Sequence, residues 1–145
     1  AEEMFQSTLK SLPADVAIFS AAVCDYKVKE ISKKKIKKQD KISLELEKTV
    51  DILNYVSNHN SLRPKLVVGF AAETNDLADY ANKKLSEKKC DWLVANDVSE
   101  KSIGFNSDFN EVSIFYKNKK VDKLNYKPKS EISDELVEKI INHFN

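Results

Sequence analysis

Polar and aromatic side chains follow three apolar segments of the chain, and they are the first candidates for chemistry. The segments end in SAAVCDY, VVGFAAET and VAND, and the residues at these ends are Ala21, Asp25, Phe70, Glu73, Asn96 and Asp97. In a parallel α/β sheet the carboxyl ends of the strands converge on one crevice, where ligands bind. The sequence therefore predicts that these residues, distant along the chain, line one ligand site.

A dense run of lysines follows the first of these segment ends. Eight lysines lie between Lys27 and Lys41, offset there only by Glu30 and Asp40, although the whole chain has a formal net charge of +1. A triphosphate carries about four negative charges, and cationic side chains are the usual means of holding them. The candidates for that role are Lys35, Lys37 and Lys38. Taken alone, such a run is more often a solvated surface, a nuclear-localisation-like patch or a nucleic-acid contact.

Several classes of site are excluded by what the sequence lacks. It contains two glycines, Gly69 and Gly104, where average usage would give about ten, and it has neither a GxGxxG motif nor a P-loop. No Ser, His and Asp arrangement, no Cys and His arrangement and no zinc-ligand spacing is present. If the chain handles phosphate, side chains rather than a glycine-rich loop must do most of the binding.

The composition predicts one cytoplasmic globular domain. The 145 residues are 41% hydrophobic and 32% charged, which allows a real core in a single domain. No apolar run reaches the roughly eighteen residues of a membrane span, and no signal-peptide pattern is present. Cys24 and Cys90 have no metal-ligand neighbours, so both are predicted to be reduced and structural. The near balance of 24 basic and 23 acidic residues argues against nucleic-acid binding by bulk charge.

The elements that must position the candidate residues alternate between strands and helices. Residues 1–12 are predicted to form an amphipathic helix, and residues 15–23 a central strand that is apolar on both faces. Residues 24–41 show neither period and are predicted to be a long, mobile, basic loop. Residues 42–48 alternate as a half-buried strand does, with Ile42, Leu44 and Leu46 pointing inward. A short helix follows over residues 50–58, with Asp51 in its first turn.

The second half of the chain continues the alternation. It is predicted to contain a strand over residues 65–74 whose apolar part ends at Gly69 and Phe70, a helix over 75–89 and a strand over 90–97. A polar loop over 98–110 then leads to a hairpin over 111–124 with Asn118 in its turn. The last helix spans residues 130–144, with Ser133 as a candidate cap. Its predicted core residues are Leu136, Val137, Ile140, Ile141 and Phe144. This order predicts one domain over residues 1–145, a three-layer α/β fold with a mainly parallel sheet and right-handed crossovers.

Each candidate also has a purely structural interpretation. Lys84 and Lys88, four residues apart on one predicted helix, are more often an exposed stripe than a ligand site. Phe70 and Tyr80 are more often core side chains. The carboxylates have capping or dipole interpretations, which apply to Asp25 in a loop and to Asp51 and Glu73 near helix starts. The residues by themselves therefore indicate an α/β domain with a basic loop at an anion site.

Six strings in order along the chain resemble one enzyme family. They are AAVCDY, KIKKQ ten residues after the aspartate, DIL, VVGFAAETND, KKLSEKKCDWLVAND and GFNSDFNEV. Together they cover nearly the whole chain in register and resemble phosphopantothenoylcysteine synthetase in its bacterial, CTP-dependent form. The resemblance implies a Rossmann-like fold, usually a dimer, often fused to a flavin-dependent decarboxylase. It implies a ligase of coenzyme A biosynthesis in which CTP and Mg²⁺ activate the carboxylate of 4′-phosphopantothenate as an acyl cytidylate, and the amine of cysteine then releases CMP.

The resemblance also implies roles for individual residues. Phe19, Ser20 and Ala21 would line the nucleotide, and Asp25 would contact it directly or through a metal ion. Lys35, the first lysine of KIKKQ, would be the catalytic residue, because it would steady charge on the triphosphate as the carboxylate attacks. The remaining nucleotide contacts would be Val50, Asp51, Ile52 and Leu53 at the cytosine and ribose, Phe70 on the base, and Lys84 and Lys88 at the phosphates.

The sequence departs from the family pattern in two respects. Val50 stands where a proline is common, and Ser20 and Cys24 stand where alanines are common, which leaves the charge pattern intact. The family's glycine-rich first strand and helix, with an asparagine that helps hold the acyl cytidylate, has no counterpart in these residues, so the amino-terminal third of the synthetase domain is expected to be absent. This leaves open whether the chain alone completes a catalytic cycle.

Two other function classes stay open at this point. The same lysines could contact the phosphates of a nucleic acid, although Tyr26 is the one aromatic residue in the basic run that could stack on a base. Alternatively, the chain could be a non-catalytic partner that dimerises through the hairpin over residues 111–124.

Overall fold

A computed structural model describes residues 1–32, 34–37, 41–73, 76–97 and 107–145 of the chain. The helices and strands of these residues are, in order, α1 (Glu2–Lys10), β1 (Val16–Phe19), β2 (Tyr26–Val28), β3 (Leu46–Lys48), α2 (Ile52–Ser57), β4 (Leu66–Glu73), α3 (Leu77–Lys88), β5 (Trp92–Asp97), β6 (Phe109–Tyr116), β7 (Val121–Pro128) and α4 (Lys129–Phe144). Within this described part, no helix has the length and apolar character needed to cross a membrane.

The main sheet has the strand order β1-β4-β5-β6-β7. Strands β1, β4 and β5 are parallel, and β6 and β7 continue the sheet as an antiparallel hairpin. Helix α4 packs on one face through Ile132 and Leu136, and α3 packs on the other through Ala81 and Leu85. The prediction of a three-layer, Rossmann-like α/β fold with parallel strands and a hairpin extension is confirmed.

Strand β4 is an interior strand of the main sheet and is almost entirely apolar. Leu66, Val67 and Val68 are fully buried, because helices cover both faces of the sheet and strands pair with both edges of β4. The sequence of a strand that is buried on both faces is a continuous apolar run rather than an alternation of apolar and polar residues. The strand continues past Gly69 and Phe70 to Glu73, so it carries an acidic residue to its carboxyl end.

The prediction of a central first strand is wrong. Strand β1 pairs with β4 alone and is therefore an edge of the sheet among the described residues. Ile18 in this strand is 46% exposed. An apolar run indicates side chains that can be covered on both faces, but it does not determine how many strands pair with that run.

Two predicted elements, the loop over 24–41 and the half-buried strand over 42–48, form one projecting structure instead. Strands β2 and β3 pair antiparallel as a separate two-stranded sheet, and the ion pairs Lys27–Glu47 (3.2 Å) and Lys29–Glu45 (3.1 Å) connect them. We call the described residues from Tyr26 to Lys48 the arm. The loop prediction is therefore wrong over β2, while the predicted mobility stays a prediction. Residues 33 and 38–40, including the candidate Lys38, lie outside the described residues.

The inward orientation predicted for the second strand of the arm is also wrong. Ile42, Leu44 and Leu46 are 57%, 58% and 57% exposed. Their alternation is real, but the arm projects from the domain, so no described part of the core covers that face.

The hairpin is confirmed and is longer than predicted. Its turn places Lys119 in the left-handed region with φ of 66°, and the side chain of Asn118 accepts a hydrogen bond from the backbone N–H of Lys120 at 3.0 Å. Most of the loop predicted before it, residues 98–106, lies outside the described residues.

Helix α4 begins at Lys129, earlier than predicted, and Ser133 is not its cap. The Ser133 hydroxyl lies inside the helix and donates to the carbonyl of Lys129 at 2.8 Å. Leu136 and Ile140 pack against the sheet as predicted. The other predicted core residues are exposed, because the apolar stripe of α4 is wider than the sheet surface that it covers; these residues are Val137, Ile141 and Phe144.

Candidate functional site

A cavity of about 300 Å³ lies at the carboxyl ends of β1 and β4. Its walls come from the segment after β1, the start of α2, strands β4 and β5, and helix α3. The sequence-predicted residues that line it are Phe19, Ala21, Asp25, Val50, Asp51, Ile52, Leu53, Phe70, Lys84 and Lys88. The strand ends therefore converge as the parallel topology requires, and we call this space the edge cavity.

The lining of the edge cavity includes a group of large apolar side chains, which we call its apolar end. Phe19, Leu53, Phe70 and Leu93 line it, and the interpretation of Phe70 as a core side chain is wrong, because this residue is 37% exposed. An aromatic ring that borders an open apolar space can stack on a flat ligand. Tyr80, the other predicted core ring, is also exposed and does not line the cavity.

The lining also includes two lysines, Lys84 and Lys88, which we call the charged end of the cavity. The ammonium group of Lys84 lies 2.6 Å from Oε1 of Glu73, an oxygen that is buried and has no partner of hydrogen-bonding geometry among the described residues. The contact is therefore chiefly ionic. One turn further along α3, Lys88 forms an ion pair with Asp51. The two lysines are thus not a simple exposed stripe, because both line the cavity and each is paired with a carboxylate. Of the two carboxylates, only Asp51 lines the cavity as well.

Asp51 has two separate functions in this structure. Its Oδ1 accepts the backbone N–H of Asn54 at 3.0 Å and so caps α2, while its Oδ2 is the atom that pairs with Lys88. The sequence prediction of a charge in the first helical turn therefore placed this residue one position too far into the helix. Because the cap fixes the carboxylate, it also fixes the direction in which Lys88 extends.

Asp25 lies where the arm leaves the domain. The backbone N–H of Thr49 donates to the Asp25 carbonyl at 2.9 Å, and the Thr49 hydroxyl donates to the Cys24 carbonyl at 2.6 Å. These two bonds hold the two ends of the arm together beside α2. The Asp25 carboxylate lines the cavity and has no ion pair or side-chain hydrogen bond within the described ranges, so the loop-cap interpretation is wrong.

The Asp25 carboxylate is of a type that can bind a metal ion. No group of three or more His, Cys, Asp or Glu side chains that could hold a metal by themselves occurs among the described residues. Mg²⁺ does not need such a group, because it is usually bound by one or two carboxylates together with the phosphates of a substrate. Asp25 lines the same cavity as Lys84 and Lys88 and has no side-chain partner among the described residues, so its carboxylate could serve in this way.

The prediction that the strand-end residues line one site is only partly confirmed. The described candidates that do not line the edge cavity are Ser20, Lys35, Lys37, Glu73 and Asn96. Ser20 lines a neighbouring cavity of about 250 Å³, and Asn96 lines the same cavity. The two cavities share Ala21, Ala22 and Phe70. Lys35 is exposed on the arm and lines neither cavity. Asp97 pairs with Glu73 through the backbone ladder, and its side chain is not described.

Sequence reasoning missed several residues of the cavity wall. Leu93 is the second residue of β5, and the two-residue period of that strand could have placed it on the α3 side. Thr49 could have been found from its position next to the predicted Val50–Leu53 segment. Met4, Ala22 and Val23 complete the missed residues, together with Cys24.

The two cysteines differ in environment, although both are free. Burial raises the pKa of Cys90 to about 11, which keeps this thiol protonated at neutral pH and agrees with a structural role. Cys24 is exposed and lines the edge cavity, so a structural role does not explain it.

Comparisons with known proteins identify the family of the chain and confirm its fold. The family model of the DNA/pantothenate metabolism flavoprotein C-terminal domain matches residues 1–144. The chain is 43% identical over 146 residues to the coenzyme A biosynthesis bifunctional protein CoaBC of Haemophilus influenzae, covering 99% of this chain and 36% of that protein. It is 40% identical over 142 residues to the protein of the same name from Bacillus subtilis, covering 97% and 34%. The chain thus spans about a third of the length of these curated relatives.

Two solved structures share the fold. The C-terminal domain of a coenzyme A biosynthesis bifunctional protein CoaBC superposes with a TM-score of 0.74 at 33% identity, covering 97% of this chain and 60% of that one. The DNA/pantothenate metabolism flavoprotein from Streptococcus pneumoniae gives a TM-score of 0.73 at 21% identity, covering 100% and 68%, a likeness that shows the fold alone.

Proposed function

The chain belongs to the DNA/pantothenate metabolism flavoprotein C-terminal domain family, and on that basis we propose that it carries the nucleotide site of a CTP-dependent phosphopantothenate–cysteine ligase in coenzyme A biosynthesis. The observation that carries this proposal is the edge cavity, which joins an apolar end to a pair of lysines one helical turn apart. A nucleoside triphosphate has the same division into a flat base and a polyanion.

The apolar end supports binding of the base, and the charged end supports binding of the phosphates. Phe70 borders the open space beside Leu53 and Leu93, where a base can stack or pack. Lys84 and Lys88 are 40% and 32% exposed at their side chains, so an incoming phosphate oxygen can reach their ammonium groups. A phosphate oxygen then either replaces Glu73 and Asp51 as the partner of the lysines or binds the lysines together with them.

The proposed reaction has two displacement steps. A carboxylate oxygen of 4′-phosphopantothenate forms a bond to the α-phosphorus of CTP, and the bond from that phosphorus to the pyrophosphate oxygen breaks. The amine nitrogen of cysteine then bonds to the acyl carbon, the amine loses a proton, and CMP leaves with its bonding electrons. When bound, Mg²⁺ neutralises charge on the phosphates. Asp25 is positioned to hold it, and Lys84 and Lys88 orient the leaving pyrophosphate.

Lys35 is proposed as the catalytic cation, and this role requires movement of the arm. Charge builds on the triphosphate as the α-phosphorus is attacked, and a cation that reaches this position stabilises the transition state. The two hydrogen bonds of Thr49 anchor the base of the arm next to Asp25, so a closing arm would bring Lys35 toward the phosphate end of the cavity. Closing arms that complete a site are common in enzymes of this kind.

We also propose that the protein is a cytoplasmic homodimer. The arm exposes apolar side chains that the described part of the domain does not cover; they are Tyr26, Val28, Ile31, Ile36, Ile42, Leu44 and Leu46. Several exposed apolar side chains on one segment favour an interaction site, since exposed apolar patches often mark protein–protein contacts. The name of the relatives, a bifunctional protein, supports a flavin-dependent decarboxylase as a second catalytic domain or associated partner.

Titration calorimetry with CTP and Mg²⁺ tests the nucleotide site. In Lys84→Ala the CTP affinity is expected to fall about 10- to 100-fold, because a hydrogen bond between charged groups contributes about 1.5–3 kcal/mol. Lys83→Ala is the matched control, since Lys83 is the preceding residue of α3, is exposed and pairs only with Glu87 at 4.0 Å in the described structure. Equal affinity for all four nucleoside triphosphates, or an equal loss in Lys83→Ala, would count against the proposal.

A turnover assay with CTP, 4′-phosphopantothenate and cysteine tests the role of the arm. In the natural polypeptide that contains this chain, Lys35→Ala is expected to lower kcat about 100-fold or more while changing the CTP affinity little, as for other groups that act on transition-state charge. Lys34→Ala provides the neighbouring control. Full turnover in Lys35→Ala would exclude Lys35 from the chemistry without affecting the binding result.

A further inference from the structure

Gly69 lies in β4 directly behind the apolar end of the edge cavity. A Cβ atom at this position would lie 2.6 Å from Cδ2 of Leu53 and 3.1 Å from Cδ1 of Leu93. Carbon atoms pack at about 3.5–4.0 Å, so Leu53 rests about 1 Å closer to the strand backbone than any side chain at position 69 would allow. Both leucines line the cavity, and their placement therefore determines how far it extends.

The requirement for glycine at this position is one of space. The φ angle of Gly69 lies outside the left-handed region that favours glycine, so an alanine could adopt the same backbone. The Sγ atom of Cys90 would be 3.6 Å from the same Cβ, an ordinary contact that adds no crowding. The conflict is thus with Leu53 first and Leu93 second, and both side chains line the cavity.

We propose that Gly69 and Leu53 together determine the size of the nucleobase that the edge cavity accepts. Leu53 recedes onto the bare backbone of Gly69 far enough to admit a one-ring pyrimidine, and its isobutyl group then closes the space that the second ring of a purine would need. This inference rests on the proposed nucleotide function and assigns selectivity within it to two residues.

The two ends of the cavity make this selectivity separable from phosphate binding. Leu53 and Leu93 have no polar groups, so they discriminate between bases by shape. Lys84 and Lys88 contact groups that all nucleoside triphosphates share, so they contribute affinity without discriminating between bases. A change of one methylene in an apolar pocket alters affinity about 10- to 200-fold, which is sufficient for the discrimination proposed.

The test compares two substitutions on opposite sides of the same contact. Leu53→Ala is expected to raise the ratio of ATP to CTP affinity at least about 10-fold over wild type, because it opens the space for a second ring. Gly69→Ala is expected to weaken CTP binding at least about 10-fold, because its Cβ pushes Leu53 toward the base. The double variant Gly69→Ala/Leu53→Ala should bind CTP more tightly than Gly69→Ala, since the atom that meets the new Cβ is gone.

Inorganic tripolyphosphate is the control ligand, because it has phosphates but no base. A variant that loses structure in general would bind it less well, whereas a variant that changes only the base position would not. The tripolyphosphate affinity should stay within about 2-fold of wild type in both single variants, because the lysines are unchanged. Leu77→Ala is the matched control, since Leu77 packs against the same core cluster without lining the cavity, and it should leave the ATP to CTP ratio unchanged. Circular dichroism establishes that each variant is folded, and Leu53→Ala alone decides the test if Gly69→Ala does not fold.

The outcomes separate this inference from the function on which it rests. If wild type binds CTP and Leu53→Ala keeps the wild-type ratio of ATP to CTP affinity, the inference is overturned and the proposed function stands. If Gly69→Ala weakens CTP and tripolyphosphate equally, the effect is a structural loss and the inference is again overturned. If wild type binds no nucleotide, both fail.

Discussion

Lysine–carboxylate pairs lie at both ends of the parallel strands of the main sheet. We call these two ends the amino edge and the carboxyl edge, and their pairs differ in the number of partners on each carboxylate. At the amino edge, where β5 begins, Asp91 accepts hydrogen bonds from Arg63 at 2.9 Å to each carboxylate oxygen, from Lys117 at 2.6 Å and from the backbone N–H of Val67 at 2.8 Å. At the carboxyl edge, Glu73 forms an ion pair with Lys84 alone among the described residues. Asp91 therefore joins three segments of the chain, whereas Glu73 holds one side chain.

Asp122 repeats the pattern of the amino edge. Its carboxylate accepts from Lys139 at 2.8 Å and from the Tyr116 hydroxyl at 2.9 Å, and pairs with Lys120 at 3.1 Å. These contacts, led by the one from Lys139, lower the pKa of Asp122 to about 2. The comparison teaches that the number of partners on each carboxylate, rather than the presence of an ion pair, separates a structural pair from one that a ligand can exchange.

The largest effect that would test this comparison is expected from Asp91→Ala. Removal of the carboxylate leaves the Arg63 guanidinium without its bidentate partner in a half-buried position, and breaking such a pair costs about 3 kcal/mol of unfolding free energy. Urea unfolding at pH 7 measures the loss. CTP affinity should not change, because Asp91 lies at the opposite edge of the sheet.

Asp15→Ala is the control for that measurement. Asp15 pairs with Lys65 at 2.8 Å, but the two side chains are 76% and 72% exposed, and solvent weakens such pairs to little net stability. Its urea midpoint should stay near that of wild type. An equal loss in both variants would mean that any ion pair at this edge stabilises the fold, regardless of the number of partners.

An intermediate effect is expected when the pH is lowered toward the pKa of Asp122. Because this pKa lies below the ordinary 3.8, the carboxylate contributes stability that is fully present above about pH 4 and is lost as the pH falls through about 2. Asp122→Asn should therefore be less stable than wild type at pH 7 and should show a smaller further loss between pH 4 and pH 2. Urea unfolding at both pH values measures it.

Tyr116→Phe divides the Asp122 effect between its partners. It removes the hydroxyl that donates to Asp122 and keeps Lys139, which is the largest cause of the lowered pKa. It should reproduce only part of the change in acid sensitivity. Acid sensitivity of Asp122→Asn equal to that of wild type would show that Asp122 does not account for this dependence.

The sequence predicted the edge cavity better than it predicted the pairs. The strand-end pattern alone predicted Ala21, Asp25 and Phe70 at one site, and all three line the cavity. The placement of Lys84 and Lys88 there came from the family resemblance, because their spacing by itself favoured an exposed stripe. The partners Glu73 and Asp51 were not predicted for the two lysines. Such contacts depend on the distance between α3 and its neighbours, which no local pattern encodes.

The arm shows the opposite case, in which a clear pattern predicted the wrong environment. Ile42, Leu44 and Leu46 alternate as a half-buried strand does, yet they are exposed, because a two-residue period requires a covering layer to have that meaning. The prediction that Ser133 caps the last helix was wrong for a related reason. A serine followed by acidic residues resembles a helix cap, but α4 begins earlier, at Lys129. Lys35 lies on the arm, so its relation to the cavity could not follow from the sheet topology.

The smallest expected effect comes from Asp51, where two substitutions separate the cap from the ion pair. Asp51→Asn removes the charge that pairs with Lys88 but keeps an oxygen that can accept the Asn54 N–H, and Asn caps helices about as well as Asp. Asp51→Ala removes both contacts and is expected to cost about 1 kcal/mol of unfolding free energy. If the pairs at the carboxyl edge are exchangeable, Asp51→Asn should unfold at nearly the wild-type urea concentration. A loss in Asp51→Asn as large as in Asp51→Ala would mean that the pair with Lys88 stabilises the fold, and that a phosphate would have to displace a structural contact in order to bind.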